Sequence, residues 1–67
     1  MSLFVSNVSE KISIDEVEQR FKDIGPCKVR RKGKTSFAFV EYDYESDAEQ
    51  AIKELQFKAL DGRGIRI

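Results

Sequence analysis

The chain has 67 residues, enough for a single domain spanning residues 1–67 with one modest hydrophobic core. Its 12 lysines and arginines balance 12 aspartates and glutamates, so net charge favours no polyanionic partner and only the distribution of charge can. One cysteine and no histidine exclude an internal disulfide and a structural Cys/His zinc site. No apolar run approaches the roughly 20 residues of a membrane-spanning helix, and the N-terminus lacks a signal-peptide pattern. We therefore expect a reducing, intracellular compartment and no membrane association.

Residues 3–8 predict the first β-strand. Leu3 and Val5 share one face of this strand, and Phe4 and Ser6 share the other, because side chains alternate along a strand. An aromatic ring therefore lies opposite the aliphatic pair. The next five residues are typical of a polar loop.

A helix is predicted after this loop. It begins with a capping box, in which Ser13 can accept a hydrogen bond from the backbone N–H of Glu16. Val17, Phe21 and Ile24 follow at three- and four-residue steps and predict a stripe that faces the core. The Gly-Pro pair at positions 25 and 26 is expected to end the helix.

A basic segment comes next. Residues 27–31 predict a short strand with Cys27 and Val29 inward, and Gly33 marks the turn that follows. Five of the seven residues from 28 to 34 are basic and none is acidic: Lys28, Arg30, Arg31, Lys32 and Lys34. They could attract phosphate, or they could simply be the solvated charges that discourage edge-to-edge pairing of a strand.

Residues 35–42 predict a strand that is apolar on both faces. One face has Ala38, Val40 and Tyr42, which we assign to the core. The other face has Phe37 and Phe39, with Glu41 beside them. A chain this short can hardly supply a second covering layer, so two rings on an open sheet indicate a platform on which flat ligands such as bases stack.

The rest of the chain predicts a second helix and a last strand. Ser46 and Glu49 fit a second capping box, and the apolar stripe that follows is Ala48, Ala51, Ile52 and Leu55. Phe57 and Leu60 are expected to close the core, and Asp61-Gly62 predicts a turn. Residues 65–67 alternate again, with Arg66 outward.

The order strand, helix, strand, strand, helix, strand predicts an α+β fold of the ferredoxin-like βαββαβ type. This arrangement is one four-stranded antiparallel sheet with both helices on one face. The other face stays open, which explains why Phe37 and Phe39 have no second layer to cover them.

At this point the chain resembles the RNA recognition motif family over essentially its whole length. The family's octamer, K/R-G-F/Y-G/A-F-V-x-F/Y, is matched at Phe37, Ala38, Phe39, Val40 and Tyr42. Thr35 and Ser36 depart from its basic residue and glycine, and Lys34 is a candidate for the missing charge. The family's hexamer is similar to residues 3–8, and residues 61–67 look most like serine/arginine-rich splicing regulators.

The resemblance implies that Phe4 and Phe39 each stack one base and that Phe37 lies against the sugars between them. Arg30 and Arg66 are predicted on the same face, where they could contact phosphate or a base edge. Ser6 and Glu41 are predicted there too, as partners for base edges. The full predicted RNA-binding set is Phe4, Ser6, Lys28, Arg30, Arg31, Lys32, Lys34, Phe37, Phe39, Glu41 and Arg66.

The function expected from the resemblance is binding of single-stranded RNA in mRNA processing or splicing. It implies a nuclear location, with shuttling to the cytoplasm left open, and a monomeric domain within a longer protein. The alternative is a module of the same fold that binds protein partners. An enzyme is not expected, because no nucleophile–base pair, histidine or phosphate-binding glycine loop is visible. No cofactor or metal is expected, and Cys27 is read as a small buried hydrophobe.

Overall fold

The computed structural model describes residues 1–31, 36–60 and 62–67. In chain order the elements are β1 (Ser2–Val5), α1 (Ile14–Lys22), β2 (Cys27–Arg30), β3 (Ala38–Tyr42), α2 (Glu45–Leu55), β4 (Ala59–Leu60) and β5 (Arg63–Gly64). The first three strands form one antiparallel sheet in the order β1–β3–β2, and β4 pairs with β5 in a separate hairpin.

Strict alternation of side chains divides the sheet into two unlike faces. Along β3 the residues are alternately buried and exposed, as the period-two pattern of the sequence predicts. Phe39 lies opposite Phe4 on β1 and opposite Arg30 on β2, so these three exposed side chains share one face. The register therefore confirms the predicted division between a core face and an open face.

The core lies between the sheet and the two helices. Its buried members from the strands include Leu3, Val5, Cys27, Val40 and Tyr42, and those from the helices are Val17, Phe21, Ala48, Ala51 and Leu55. The second predicted stripe and the Val17 and Phe21 positions of the first are thus confirmed, and both helices cover the same face of the sheet. Burying these side chains is the main source of stability, at about 1.5–3 kcal/mol for each large one.

The loop between β1 and α1 belongs to the core, although its sequence reads as polar. Val8 and Ile12 are buried there, and Ser9 is the one polar residue that is buried in the described part of the chain. At the end of the loop Ser13 accepts from the N–H of Glu16 at 3.2 Å, which confirms the predicted N-cap.

The helix ends differ from the prediction. α1 ends at Lys22 with Asp23 as its C-cap, so Ile24 packs against the core from outside the helix. α2 begins at Glu45 after Tyr44, whose side chain makes no capping hydrogen bond, so the predicted cap at Ser46 is wrong. Tyr44 has the extended backbone of an N-cap residue directly before α2, and Ser46 therefore lies inside the first turn.

The predicted fourth strand is reduced to a single antiparallel bridge. Ser6 N–H donates to the carbonyl of Arg66 at 2.6 Å, and Arg66 N–H donates back at 2.9 Å. Asn7 then adopts a φ of +59, and its side-chain amide donates to the carbonyl of Gly64 at 2.9 Å. This left-handed residue turns the chain out of the extended conformation of β1 immediately after the bridge.

The last part of the core agrees with the sequence at Leu60 and Ile65, which are buried, and differs at Phe57, which is exposed. The side chain of Gln56 fixes the last segment by donating to and accepting from the backbone of Ile67, at 3.1 and 2.8 Å. The predicted turn around Gly33 and the Asp61 half of the predicted Asp61-Gly62 turn lie outside the described residues.

Candidate nucleic-acid interface

Three phenylalanines form a cluster on the open face of the sheet. Phe4 extends from β1 and Phe39 from β3, and Phe37 immediately precedes β3. The ring centroid of Phe4 lies 5.5 Å from that of Phe37 and 5.3 Å from that of Phe39. The centroids of Phe37 and Phe39 are 6.3 Å apart. Their exposed fractions are 51% for Phe4, 36% for Phe37 and 51% for Phe39, although the rings contact one another. The cluster is a half-covered aromatic surface of the kind that stacks with planar ligands.

A row of charged side chains borders the rings on β2. Arg30 lies opposite Phe39, and Lys28 lies opposite Glu41, so all four residues are on the open face and exposed. Opposite charges at directly paired positions favour each other, and Glu41 therefore lowers the local positive potential around Lys28. Arg30 is the basic residue that the described structure brings next to a ring.

The other border is the bridge between Ser6 and Arg66. Ser6 follows Phe4 by two residues, so it lies on the ring-bearing face, and pairing with Ser6 places Arg66 there as well. The guanidinium of Arg66 is exposed, whereas the hydroxyl of Ser6 lies 3.4 Å from the carbonyl oxygen of Arg66. Arg30 and Arg66 thus flank the rings from opposite edges of the sheet.

Arg31 has a structural role that the sequence did not reveal. Its guanidinium donates to the carbonyl oxygens of Ile12 at 2.7 Å and Ser9 at 2.8 Å, and so joins the end of β2 to the loop before α1. The sequence groups Arg31 with the other basic side chains of residues 28–34 that could bind phosphate. The structure separates it from Arg30: the guanidinium of Arg31 binds the loop before α1, whereas Arg30 lies opposite Phe39. Two other predicted contacts, Lys32 and Lys34, lie outside the described residues.

The buried polar groups beneath the sheet serve the core. Tyr42 donates its hydroxyl hydrogen to the carbonyl of Phe21 at 2.7 Å, and burial raises the pKa of Tyr42 far above its usual value. Burial likewise raises the pKa of the Cys27 thiol, so this cysteine is not an activated nucleophile. Both residues are on the helical side of the sheet, away from the rings.

The described residues contain no group of His, Cys, Asp or Glu side chains that could hold a metal ion. No helix within residues 1–31, 36–60 and 62–67 is both long and apolar enough to cross a membrane.

The sequence profile of the RNA recognition motif family matches residues 3–66, and the chain belongs to this family. It is 32% identical to the U1 small nuclear ribonucleoprotein 70 kDa of Xenopus tropicalis over 98% of its own length, and 32% identical to nucleolin of Mus musculus over 98%. The chain spans only 16% and 10% of the lengths of these two relatives.

A solved structure of an SXL-lethal protein/RNA complex has the same fold, with a TM-score of 0.88. It is 26% identical in sequence, and the alignment covers 97% of this chain and 43% of that one. The ferredoxin-like α+β fold with two helices is thus confirmed, while the fourth strand is present here only as the bridge at Arg66.

Proposed function

We propose that this domain binds single-stranded RNA on the open face of its sheet, as a non-catalytic module. Phe4 and Phe39 each stack one base, and Phe37 lies against the sugars between them. The main support is the cluster of three rings with centroids 5.3 to 6.3 Å apart, half exposed on a face that the helices do not cover. The RNA complex among the related structures supports the same ligand.

Electrostatics supports RNA as well, although the net charge is zero. Arg30 and Arg66 flank the rings, whereas the first turns of the two helices, on the far side of the sheet, contain Asp15, Glu16, Glu45 and Asp47. A neutral protein with separated charges directs a polyanion to its basic face. Phosphate contacts by the arginines then give an affinity that falls with salt. For a single strand, each contact lowers the association constant by about 0.7 logarithmic units for every tenfold rise in salt concentration.

The broader setting follows from the relatives. A small nuclear ribonucleoprotein and nucleolin are 32% identical to this chain, which supports a nuclear location and a part in RNA processing. Splicing, a closer likeness to serine/arginine-rich regulators, and shuttling remain predictions from the sequence. We also propose that the domain acts within a longer protein, as it matches short parts of both relatives.

The test is a binding titration of the domain with short RNA of mixed sequence, followed by NMR and repeated on Phe39→Ala and Phe4→Ala. Each substitution should weaken binding by about 1–3 kcal/mol, the worth of one base–aromatic stack. The matched control is Tyr44→Ala, which removes a ring that is 62% exposed at the start of α2. It should leave the affinity unchanged, because Tyr44 follows the end of β3 and caps α2, outside the sheet that carries the three rings.

The proposal is wrong if the folded wild-type domain shows no chemical-shift changes with RNA at low salt. It is also wrong if Tyr44→Ala weakens binding as much as Phe39→Ala, because the open face would then have no special role. Retained affinity in a folded double variant that lacks both Phe4 and Phe39 would contradict the stacking mechanism alone.

A second candidate is a protein-binding module that uses the helical side. A groove of about 280 Å³ lies there between the ends of the two helices, and it is lined by Arg20, Asp23, Ile24, Glu54, Leu55 and Lys58. Partner binding there would shift the resonances of these residues and would be insensitive to Phe39→Ala. The ring cluster favours RNA, because a partner in this groove would leave the rings exposed to solvent.

A further inference from the structure

Glu41 is the one acidic residue in the three strands of the sheet. The other residues of β1, β2 and β3 are apolar, hydroxyl-bearing or basic. Glu41 follows Phe39 by two residues, so it lies on the open face, about 6.6 Å further along the strand. A carboxylate this close to the rings repels the phosphates of a bound strand. Its position therefore fits a contact with a base rather than with the RNA backbone.

The neighbours of Glu41 leave its carboxylate accessible. Glu41 lies opposite Ser2 on β1 and opposite Lys28 on β2. Ser2 is small and exposed, and it does not cover the carboxylate. In the part of the chain that the structure describes, the one ion pair joins Lys22 to Glu18, so Lys28 does not hold Glu41 in a salt bridge. Both carboxylate oxygens can accept hydrogen bonds from a ligand.

A base that stacks on Phe39 brings its edge close to Glu41, because the two side chains are next to each other on the same face of β3. Stacking alone accepts any base. Selectivity for one base depends on hydrogen bonds to its edge, and in single-stranded RNA the Watson–Crick edge is open to protein side chains. An ionised carboxylate is a pure acceptor, so Glu41 favours a base edge that presents donors.

Guanine matches a carboxylate better than the other three bases. Its Watson–Crick edge presents N1–H and the N2 amino group side by side, one donor for each carboxylate oxygen. Adenine and cytosine present one amino group beside an acceptor nitrogen, and uracil presents one N–H between two carbonyl oxygens. Two parallel hydrogen bonds to a charged acceptor are stronger and more specific than one. In a duplex this edge of guanine is engaged in pairing, whereas in a single strand it is free to bind Glu41.

We infer that the carboxylate of Glu41 selects guanine as the base that stacks on Phe39, by accepting hydrogen bonds from N1–H and the N2 amino group. This inference rests on the proposed function, because it assigns a base to one of the two stacking positions. Lys28, the cross-strand neighbour of Glu41, offsets its charge, so the same surface still attracts the phosphates of the strand.

The experiment compares the affinities of the wild-type domain for RNAs of about five nucleotides by fluorescence anisotropy. Each RNA has uracil at every position except the middle one, which is guanine, adenine, cytosine or uracil. The guanine RNA should bind about 5- to 150-fold more tightly than the uracil RNA, the discrimination expected from one bidentate contact. A fifth RNA has inosine, which is guanine without the N2 amino group, and it should bind with intermediate affinity because one donor is missing.

Glu41→Ala tests the contribution of the carboxylate. Its affinity for the guanine RNA should fall by about 5- to 150-fold, while its affinity for the uracil RNA should stay constant or rise, because a negative charge is removed. Glu41→Val, which favours the strand conformation, should give the same result. The matched control is Glu49→Ala, which removes an exposed carboxylate from α2 on the far side of the sheet and should change neither affinity.

Four results would overturn the inference. The wild type could bind the guanine, adenine, cytosine and uracil RNAs alike or prefer a base other than guanine, and it could bind guanine and inosine equally. The preference for guanine could survive in both folded Glu41 variants, or both variants could lose affinity for the guanine and uracil RNAs equally. If the wild type binds none of the RNAs, the proposed function itself is wrong, so the two failures can be distinguished.

Discussion

Arg30 and Arg31 are adjacent in the chain, and the structure predicts opposite consequences for their substitution. In Arg31→Ala, the carbonyl oxygens of Ile12 and Ser9 lose donors at 2.7 and 2.8 Å. A hydrogen bond from a charged donor contributes about 1.5–3 kcal/mol, and partial exposure of this guanidinium lowers that value. We expect a total loss of about 1–3 kcal/mol, because the loop before α1 would no longer be joined to β2.

In a domain of this size, each kcal/mol lowers the melting temperature by about 4–8 °C, so calorimetry or thermal circular dichroism will detect the change. Arg31→Lys keeps the charge but not the planar fork of donors, and it should recover only part of the stability. The salt dependence of RNA binding should be the same for Arg31→Ala and the wild type, measured at a temperature where both are folded.

Arg30→Ala is the matched control. Its guanidinium is exposed opposite Phe39, so its removal should leave the melting temperature nearly unchanged. The salt slope of RNA binding should become shallower by about 0.7, the value for one phosphate contact. If Arg31→Ala instead keeps its stability and reduces the salt slope, the guanidinium binds RNA and the structural role assigned to it is wrong.

Three further substitutions test the core and the helix ends. Ser13→Ala removes the N-cap of α1 and should cost about 1 kcal/mol in urea unfolding. Gly25→Ala should destabilise the domain and shift the Asp47 resonances, because the new Cβ would lie 2.1 Å from a carboxylate oxygen of Asp47 unless that side chain moves. Tyr42→Phe leaves the carbonyl of Phe21 without its donor and should cost about 1–3 kcal/mol at neutral pH. Burial raises the pKa of Tyr42, so wild-type stability should fall as the pH rises above about 10, where the phenol of the unfolded chain ionises. In a series of unfolding measurements at increasing pH, Tyr42→Phe should lack this part of the fall.

The alternation of apolar residues was sufficient to predict the sheet faces and the open aromatic surface. Along β3 buried and exposed residues alternate, so a period of two leaves no other arrangement once one face is buried. The same reasoning places Phe4 and Phe39 on the same face of the sheet, but only the register shows that they are direct cross-strand partners. The face to which each side chain of a strand points depends only on its position in the alternation, and for this reason the sequence predicts it well.

The features that the sequence did not reveal concern residues whose partners are distant in sequence or whose backbone is unusual. Arg31 binds carbonyl oxygens 19 and 22 residues earlier, which no local pattern indicates. Phe57 was assigned to the core because of its apolarity, yet it is exposed and has a positive φ that its side chain does not favour. Asn7 similarly has a left-handed backbone just after the bridge, and its side-chain amide donates to the distant carbonyl of Gly64.

The contacts within the ring cluster also explain how the domain can keep three phenylalanines on an open face. Each ring contacts the other two, at distances typical of favourable aromatic pairs, and each pair contributes about 0.5–1.5 kcal/mol beyond the area that it buries. The rings are therefore held in place before any ligand arrives, by one another and by the strands below. Because these side chains are already ordered, a base that stacks on them pays less of the cost of immobilising side chains, about 0.5–1.5 kcal/mol for each. The contacts that reduce the cost of exposing the rings are thus the same contacts that prepare them for RNA.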